Sequence, residues 1–256
     1  MFRTGTEKIV KFIYYLYYSL VLLLSINIIK RNTKSNMIIY NPSNTEILKE
    51  RIAEAEKILE EIPAKTVFIT GSFLFKESYK DIDVFVVTRS HKEIKIKNKK
   101  VKITTIPFNN LHSLFYHSIS KSCISKDILP TKKLRVTVAD YWGIVNEAIP
   151  MIFNEKKDFQ KDIRYLVLYT EYFLNGTILD SYGLTKRVNE FKDYGSVLDY
   201  AKKNIPAAIT KHLCNNYIKR FFYTQSGFYK ETLGYESHKY LYEISHTIIK
   251  EASING

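Results

Sequence analysis

The spacing of hydrophobic positions changes along the chain: short apolar runs around one helical stripe come first, and helical stripes alone follow. Met37 to Tyr40 reads as a short strand. From Asn44 to Ile62, the residues Ile47, Leu48, Ile52, Ala55, Leu59 and Ile62 recur at helical spacing, with Glu50, Glu54 and Lys57 off the stripe. Ser43 or Asn44 supplies a cap, Glu46 lies in the first turn and Pro63 ends the helix. Val67-Phe68-Ile69 and Val84 to Val87 are almost unbroken Val, Ile and Phe, which predicts two neighbouring strands of a sheet covered on both faces. His91 to Lys102 alternates Lys with Ile and turns at Asn98, the pattern of a hairpin with one lysine-lined and one apolar face. Val101 to Ile106 reads as a further strand, and Asn109 to Ser120 as a short helix carrying Leu111, Leu114 and Phe115.

Ser122 to Pro130 is polar and predicts a connection at a domain boundary, with one more strand over Thr131 to Val138. From Ala139 onward the pattern is helical. Trp142, Val145 and Ile149 define a helix that Pro150 should interrupt. Asp158 to Asn175 is the best-patterned helix, with Ile163, Leu166, Val167, Phe173 and Leu174 in its stripe and Gly176 as a stop signal. Further helices are predicted over Ser181 to Phe191, Ser196 to Asn204, Ala207 to Thr224 and Tyr235 to Ala252. The chain shows no internal repeat. Residues 1–36 form an apolar extension. Within it, Phe12 to Ile29 is 18 residues without a charge, flanked by Lys11 and Lys30-Arg31. Three readings stay open: a membrane anchor through 12–29, a start that truly lies at Met37, and a buried core helix. Basic flanks on both sides give no orientation.

Candidate chemistry gathers between the two apolar strands. Gly71-Ser72 breaks the first, and Asp81-Ile82-Asp83 opens the second. Strand side chains alternate, so Asp81 and Asp83 project to one side and Ile82 to the other. Two carboxylates so placed repel unless a cation lies between them. Oxygen ligands of this kind suit Mg²⁺, which takes one or two carboxylates together with substrate phosphates. Gly71 permits close backbone approach to a phosphate, and Ser72 can donate its hydroxyl to one. The same residues also fit a strand–turn–strand with solvated aspartates.

Thr66 to Val87 resembles the signature of the nucleotidyltransferase superfamily that includes DNA polymerase beta: a Gly-Ser turn, a short connection, then Asp-hydrophobic-Asp. The resemblance implies an α+β fold. A small mixed β-sheet nucleotidyltransferase domain with flanking helices would span 37–125, followed by a mainly helical, all-α C-terminal domain over 126–256 in the place where many small members carry a substrate-binding domain. It also implies Asp81 and Asp83 as catalytic metal ligands for Mg²⁺ or Mn²⁺, and Gly71 and Ser72 as nucleotide-binding residues. The reaction implied is transfer of a nucleoside monophosphate from an NTP to an acceptor, which is RNA, a protein or a small molecule. The family's third carboxylate would fall on the strand Val101 to Ile106, where this chain has Lys102. A protonated lysine cannot ligate a metal. Asp127, Asp140 and Glu147 are substitutes that spacing does not separate. The alternative expectation is therefore a catalytically inactive nucleotidyltransferase-fold binding module, antitoxin-like or RNA-binding.

Charge and cysteine content change this picture little. The 256 residues carry a net +13, of which +8 lies outside residues 1–36. That balance favours a polyanionic partner and fits a Lys-rich composition bias equally. Lys92, Lys95, Lys97, Lys99 and Lys100 could rim the site with positive charge, or could simply guard a sheet edge. Lys211, Lys219, Arg220 and Lys230 lie near Phe221, Phe222, Tyr223 and Tyr229, as in surfaces that stack single-stranded nucleic acid and equally as in a core stripe beside a solvated face. Cys123 and Cys214 read as free thiols of a cytoplasmic protein, and no Cys/His cluster has zinc spacing. His112 and His117, five apart, read as ordinary histidines rather than a metal pair.

Overall fold

The structure, a computed structural model, describes residues 37–42, 44–89, 98–154, 159–212 and 234–254. It is α+β, with a five-stranded mixed sheet and seven α-helices among the described residues. In chain order the elements are β1 (Ile38–Tyr40), α1 (Thr45–Glu61), β2 (Val67–Thr70), β3 (Ile82–Thr88), β4 (Val101–Pro107), α2 (Leu114–Ile119), β5 (Cys123–Ser125), α3 (Val138–Asn154), α4 (Phe159–Asn175), α5 (Ser181–Asn189), α6 (Tyr194–Thr210) and α7 (Tyr235–Ile254). The chain divides into two compact units. Among the described residues, the first takes those from 37 to 105 together with Ser120–Leu129; the second takes Ile106–Ile119 and those from 130 to 254.

In the first unit the strand order is β1-β5-β2-β3-β4. β2 pairs antiparallel with β3, with Ile69 opposite Val84 and Thr70 opposite Asp83. β5 lies between β1 and β2, antiparallel to both. Helix α1 covers one face. Asn44 caps it, its side chain accepting from the Glu46 and Ile47 N–H groups at 3.1 and 3.3 Å. Leu48, Ala55, Ile58, Leu59 and Ile62 then pack on Val67, Ile69, Ile82, Val84, Val86 and Ile124. Alternation sends Phe68, Thr70, Asp83 and Phe85 to the opposite face, where the Phe68 and Phe85 rings stack at 5.5 Å.

The second unit is built on a helical core. Tyr141 of α3 stacks on Phe173 of α4 at 5.0 Å, and its hydroxyl lies 2.7 Å from Thr170 Oγ1. Thr170 gives its own proton to the Leu166 carbonyl, so Tyr141 is the donor to Thr170. Ile149, Ile163, Leu166, Val197, Ile205, Ile244 and Ile248 join the same core. Gly176 ends α4 with φ +68° and its N–H on the Tyr172 carbonyl, as a left-handed helix stop requires. Glu171 accepts from Arg187 Nε at 2.9 Å, Tyr200 Oη at 3.1 Å and Asn175 Nδ2 at 2.9 Å, tying α4, α5 and α6 together.

Several sequence expectations change here. The polar stretch from Ser122 holds strand β5, because Ile124 alone faces α1 and the strand is defined by distant partners rather than by its own pattern. Residues 131–137 belong to no strand. They run extended with Leu134 and Val136 turned to the helical core and Lys133, Arg135 and Thr137 exposed, which is why they alternate like a strand. Asn109 to Ser120 is two pieces, a 3-10 turn over Phe108–His112 and then α2, parted at Ser113. Helix α3 continues through Pro150, which is itself buried, and α6 continues through Pro206 to Thr210. The apolar run 12–29, most of the lysine hairpin, Cys214 and the aromatic cluster near 220–230 lie outside the described residues. Among the described residues no helix is long and apolar enough to cross a membrane.

Candidate functional site

Each residue of the Gly-Ser and Asp-Ile-Asp motifs is placed by the β2–β3 pair. β2 ends at Thr70, whose hydroxyl donates to the Ser122 carbonyl at 2.8 Å and fixes that strand end beside β5. The chain then turns at Gly71, with φ +87° and ψ −164°, a conformation open essentially to glycine alone. A methyl group added there would lie 2.9 Å from Asp83 Oδ2. The turn backbone is therefore laid directly against the Asp83 carboxylate. Ser72 opens a 3-10 turn over Ser72–Leu74, and its carbonyl accepts from the Phe75 and Lys76 N–H groups.

The connection from Ser72 to Lys80 is held to α1 by residues that sequence reasoning did not single out. The Arg51 guanidinium lies 4.7 Å from the Tyr79 ring centroid and 5.7 Å from that of Phe73, and it donates to the Glu77 carbonyl at 2.9 Å. The Tyr79 hydroxyl lies 3.2 Å from both Glu54 carboxylate oxygens, and burial followed by the Glu54 charge raises its pKa. The Arg51–Glu54 spacing on one helix, with a tyrosine just before the aspartates, was the available signal.

On the other flank, β4 begins beside the beginning of β3: the Ile82 N–H donates to the Lys100 carbonyl at 2.9 Å. Val101 and Ile103 turn to the α1 side, so Lys102 turns to the side of Asp81 and Asp83. Lys102 Nζ forms an ion pair with Asp81 Oδ2. The hydrogen bond to Asp81 and then the Asp81 charge raise the Lys102 pKa; desolvation opposes them, and the charge of Asp83 adds a lesser rise. Alternation at the start of β3 puts both carboxylates on one face, and the Lys102 ammonium lies on that face. The lysine side chain is 62% exposed and that of Asp81 23%.

By donor type the aspartate pair suits Mg²⁺. Asp81 and Asp83 offer oxygens only, and a glycine cradle lies against one of them, which fits an ion completing its shell with water and nucleotide phosphates. Among the described residues no group of three or more His, Cys, Asp or Glu side chains could hold a metal. Of the substitute acids, Asp127 accepts from the Ile128 N–H and Asp140 from Thr137 at the start of α3; Glu147 lies on α3 in the helical unit. Lys102 Nζ sits on Asp81 Oδ2 with its own side chain 62% exposed, so an ion at Asp81 would have to displace it. The residues therefore fit one divalent ion, with Lys102 as its competitor on Asp81.

No family model, no curated protein and no solved structure matches the chain.

Proposed function

We propose that the protein is a nucleotidyltransferase that binds an NTP at Asp81, Asp83, Gly71 and Ser72 and transfers its nucleoside monophosphate to an acceptor. The observation that carries this reading is the Gly71 turn lying against Asp83 Oδ2, with Asp81 on the same sheet face. Bound Mg²⁺ or Mn²⁺ would supply charge neutralisation at the triphosphate. Asp81 and Asp83 orient that charge. Gly71 gives the departing phosphates access to the backbone, and the Ser72 hydroxyl donates to them. Arg51 and Tyr79 fix the connection that aims the turn. A cytoplasmic setting suits both an NTP substrate and the buried thiol of Cys123, whose pKa burial raises. The test is calorimetric titration of ATP, GTP, CTP and UTP with Mg²⁺ or Mn²⁺; an NTP bound equally by the natural protein and by Asp83→Ala would contradict the assignment.

A second reading, a nucleotidyltransferase-fold binding module without transfer activity, is favoured by the Lys102 ammonium on Asp81. Under that reading α-labelled NTPs transfer no label to any acceptor, and the protein co-purifies with a stoichiometric RNA or protein partner.

A further inference from the structure

We propose that the acceptor at this site is a phosphomonoester, received by Lys102 on the β4 flank of the aspartate pair. The inference rests on the nucleotidyl-transfer reading and names the chemical class of its second substrate.

The two flanks of β3 differ in chemistry. On the β2 flank lie the Gly71 cradle and the Ser72 hydroxyl, suited to the phosphates that depart. On the β4 flank lies Lys102, with the Asn98–Lys100 turn just before it abutting the start of β3 through the Ile82 to Lys100 hydrogen bond. Phosphoryl transfer runs with attacking and leaving oxygens roughly in line. Leaving phosphates held over β2 therefore bring the acceptor in over β4, where Lys99, Lys100 and Lys102 are exposed. Lys100 is anchored with its ammonium 5.4 Å from the Tyr79 ring centroid, while Lys102, its side chain 62% exposed, holds its ammonium on Asp81 beside the start of β3.

A lysine ammonium is a three-donor point charge with no accepting lone pair. It serves poorly as a base for an alcohol and well as a partner for an anionic oxygen. A phosphomonoester has a second pKa of about 6 and arrives at neutral pH as a dianion, with no proton to remove. One of its oxygens attacks the α-phosphorus of the NTP. A new P–O–P bond forms as the bond from the α-phosphorus to the bridging oxygen breaks, and the electron pair leaves on pyrophosphate. The product is a diphosphate diester joining nucleoside and acceptor, and no proton changes hands. Lys102 is released for this task when Asp81 is taken up in binding the nucleotide.

The test loads the full chain with Mg²⁺ and an α,β-methylene NTP, which cannot transfer, and titrates ribose 5-phosphate, methyl phosphate and ribose by calorimetry. The two phosphomonoesters should bind and ribose should not. Lys102→Gln should weaken both phosphomonoesters by about tenfold or more, the loss of one charge-assisted contact, while nucleotide affinity holds or rises, because the variant also frees Asp81 of its ammonium competitor. Ribose binding as well as ribose 5-phosphate, or phosphomonoester affinity untouched in Lys102→Gln, would overturn the proposal and leave the nucleotide site standing. Equal loss of nucleotide and phosphomonoester in Lys102→Gln would make Lys102 a nucleotide ligand and likewise overturn it. A natural protein that fails to bind the nucleotide analogue would remove the transferase reading and the acceptor with it.

Discussion

Gly71, Asp83 and Lys102 illustrate how residues of one sheet edge differ in what the sequence discloses. The turn at Gly71 and the shared side of the two aspartates were legible because both follow from local rules: a break after an apolar run, and alternation along a strand. The place of Lys102 beside them came from the family resemblance and from no local pattern, since its ion pair with Asp81 depends on β4 starting beside β3, a long-range register. Gly71→Ala tests the cradle directly. With φ +87° and Asp83 Oδ2 at 2.9 Å from the added carbon, the variant should lose about 1–3 kcal/mol in chemical denaturation and weaken in nucleotide binding. A variant as stable as the natural protein would contradict the turn geometry. In the helical unit, His117 Nε2 lies 2.9 Å from the Lys132 carbonyl oxygen. Burial holds its pKa below the usual 6.5, with His112 acting the same way and the Lys132 hydrogen bond opposing. A folded pKa below the unfolded one means the unfolded chain takes up the proton first as pH falls. The stability His117 contributes is thus complete above about 6.5 and is lost as pH falls from there through the folded value. Denaturation midpoints between pH 7 and 5 should fall less steeply in His117→Gln; an unchanged slope would contradict the assignment.

Elements were readable in proportion to how much of their stability is local. Helix α1 carries its own cap and stripe, and α4 its stripe and glycine stop, so both emerge from the pattern. Strand β5 has three residues and one apolar contact to α1, and it exists because β1 and β2 pair with it on either side. Residues 131–137 mislead in the opposite sense: alternate burial against helices imitates a strand that has no pairing partner. Helix α3 overrides its proline because packing of Tyr141, Trp142, Val145, Ile149 and Ile152 outweighs one lost hydrogen bond. One turn before Pro150, the Asn146 side chain is buried with neither amide atom hydrogen-bonded among the described residues. Such a group costs stability where an apolar one of similar shape does not. Asn146→Leu should therefore raise stability by about 1–2 kcal/mol in a denaturant titration; a loss of stability would show that the amide has a partner.

At the scale of the whole molecule, the chain builds two units with separate cores, and the candidate chemistry belongs to the sheet unit alone. The sheet supplies three adjacent positions from three strands: the end of β2, the start of β3 and the start of β4. That arrangement brings a glycine turn, two acids and a lysine to one face, and the proposed nucleotide and phosphomonoester sites rest on it. The net charge of +13 favours such polyanionic ligands without selecting among them. The assignment of Asp81 and Asp83 as the nucleotide's metal ligands is what everything else depends on. Calorimetric titration of an NTP in the presence of Mn²⁺ into the natural protein and into Asp83→Ala tests it most directly. Saturable binding by the natural protein that is lost in Asp83→Ala is the predicted result. Equal affinity in the two proteins, or the same affinity in the natural protein with and without the metal, would contradict it.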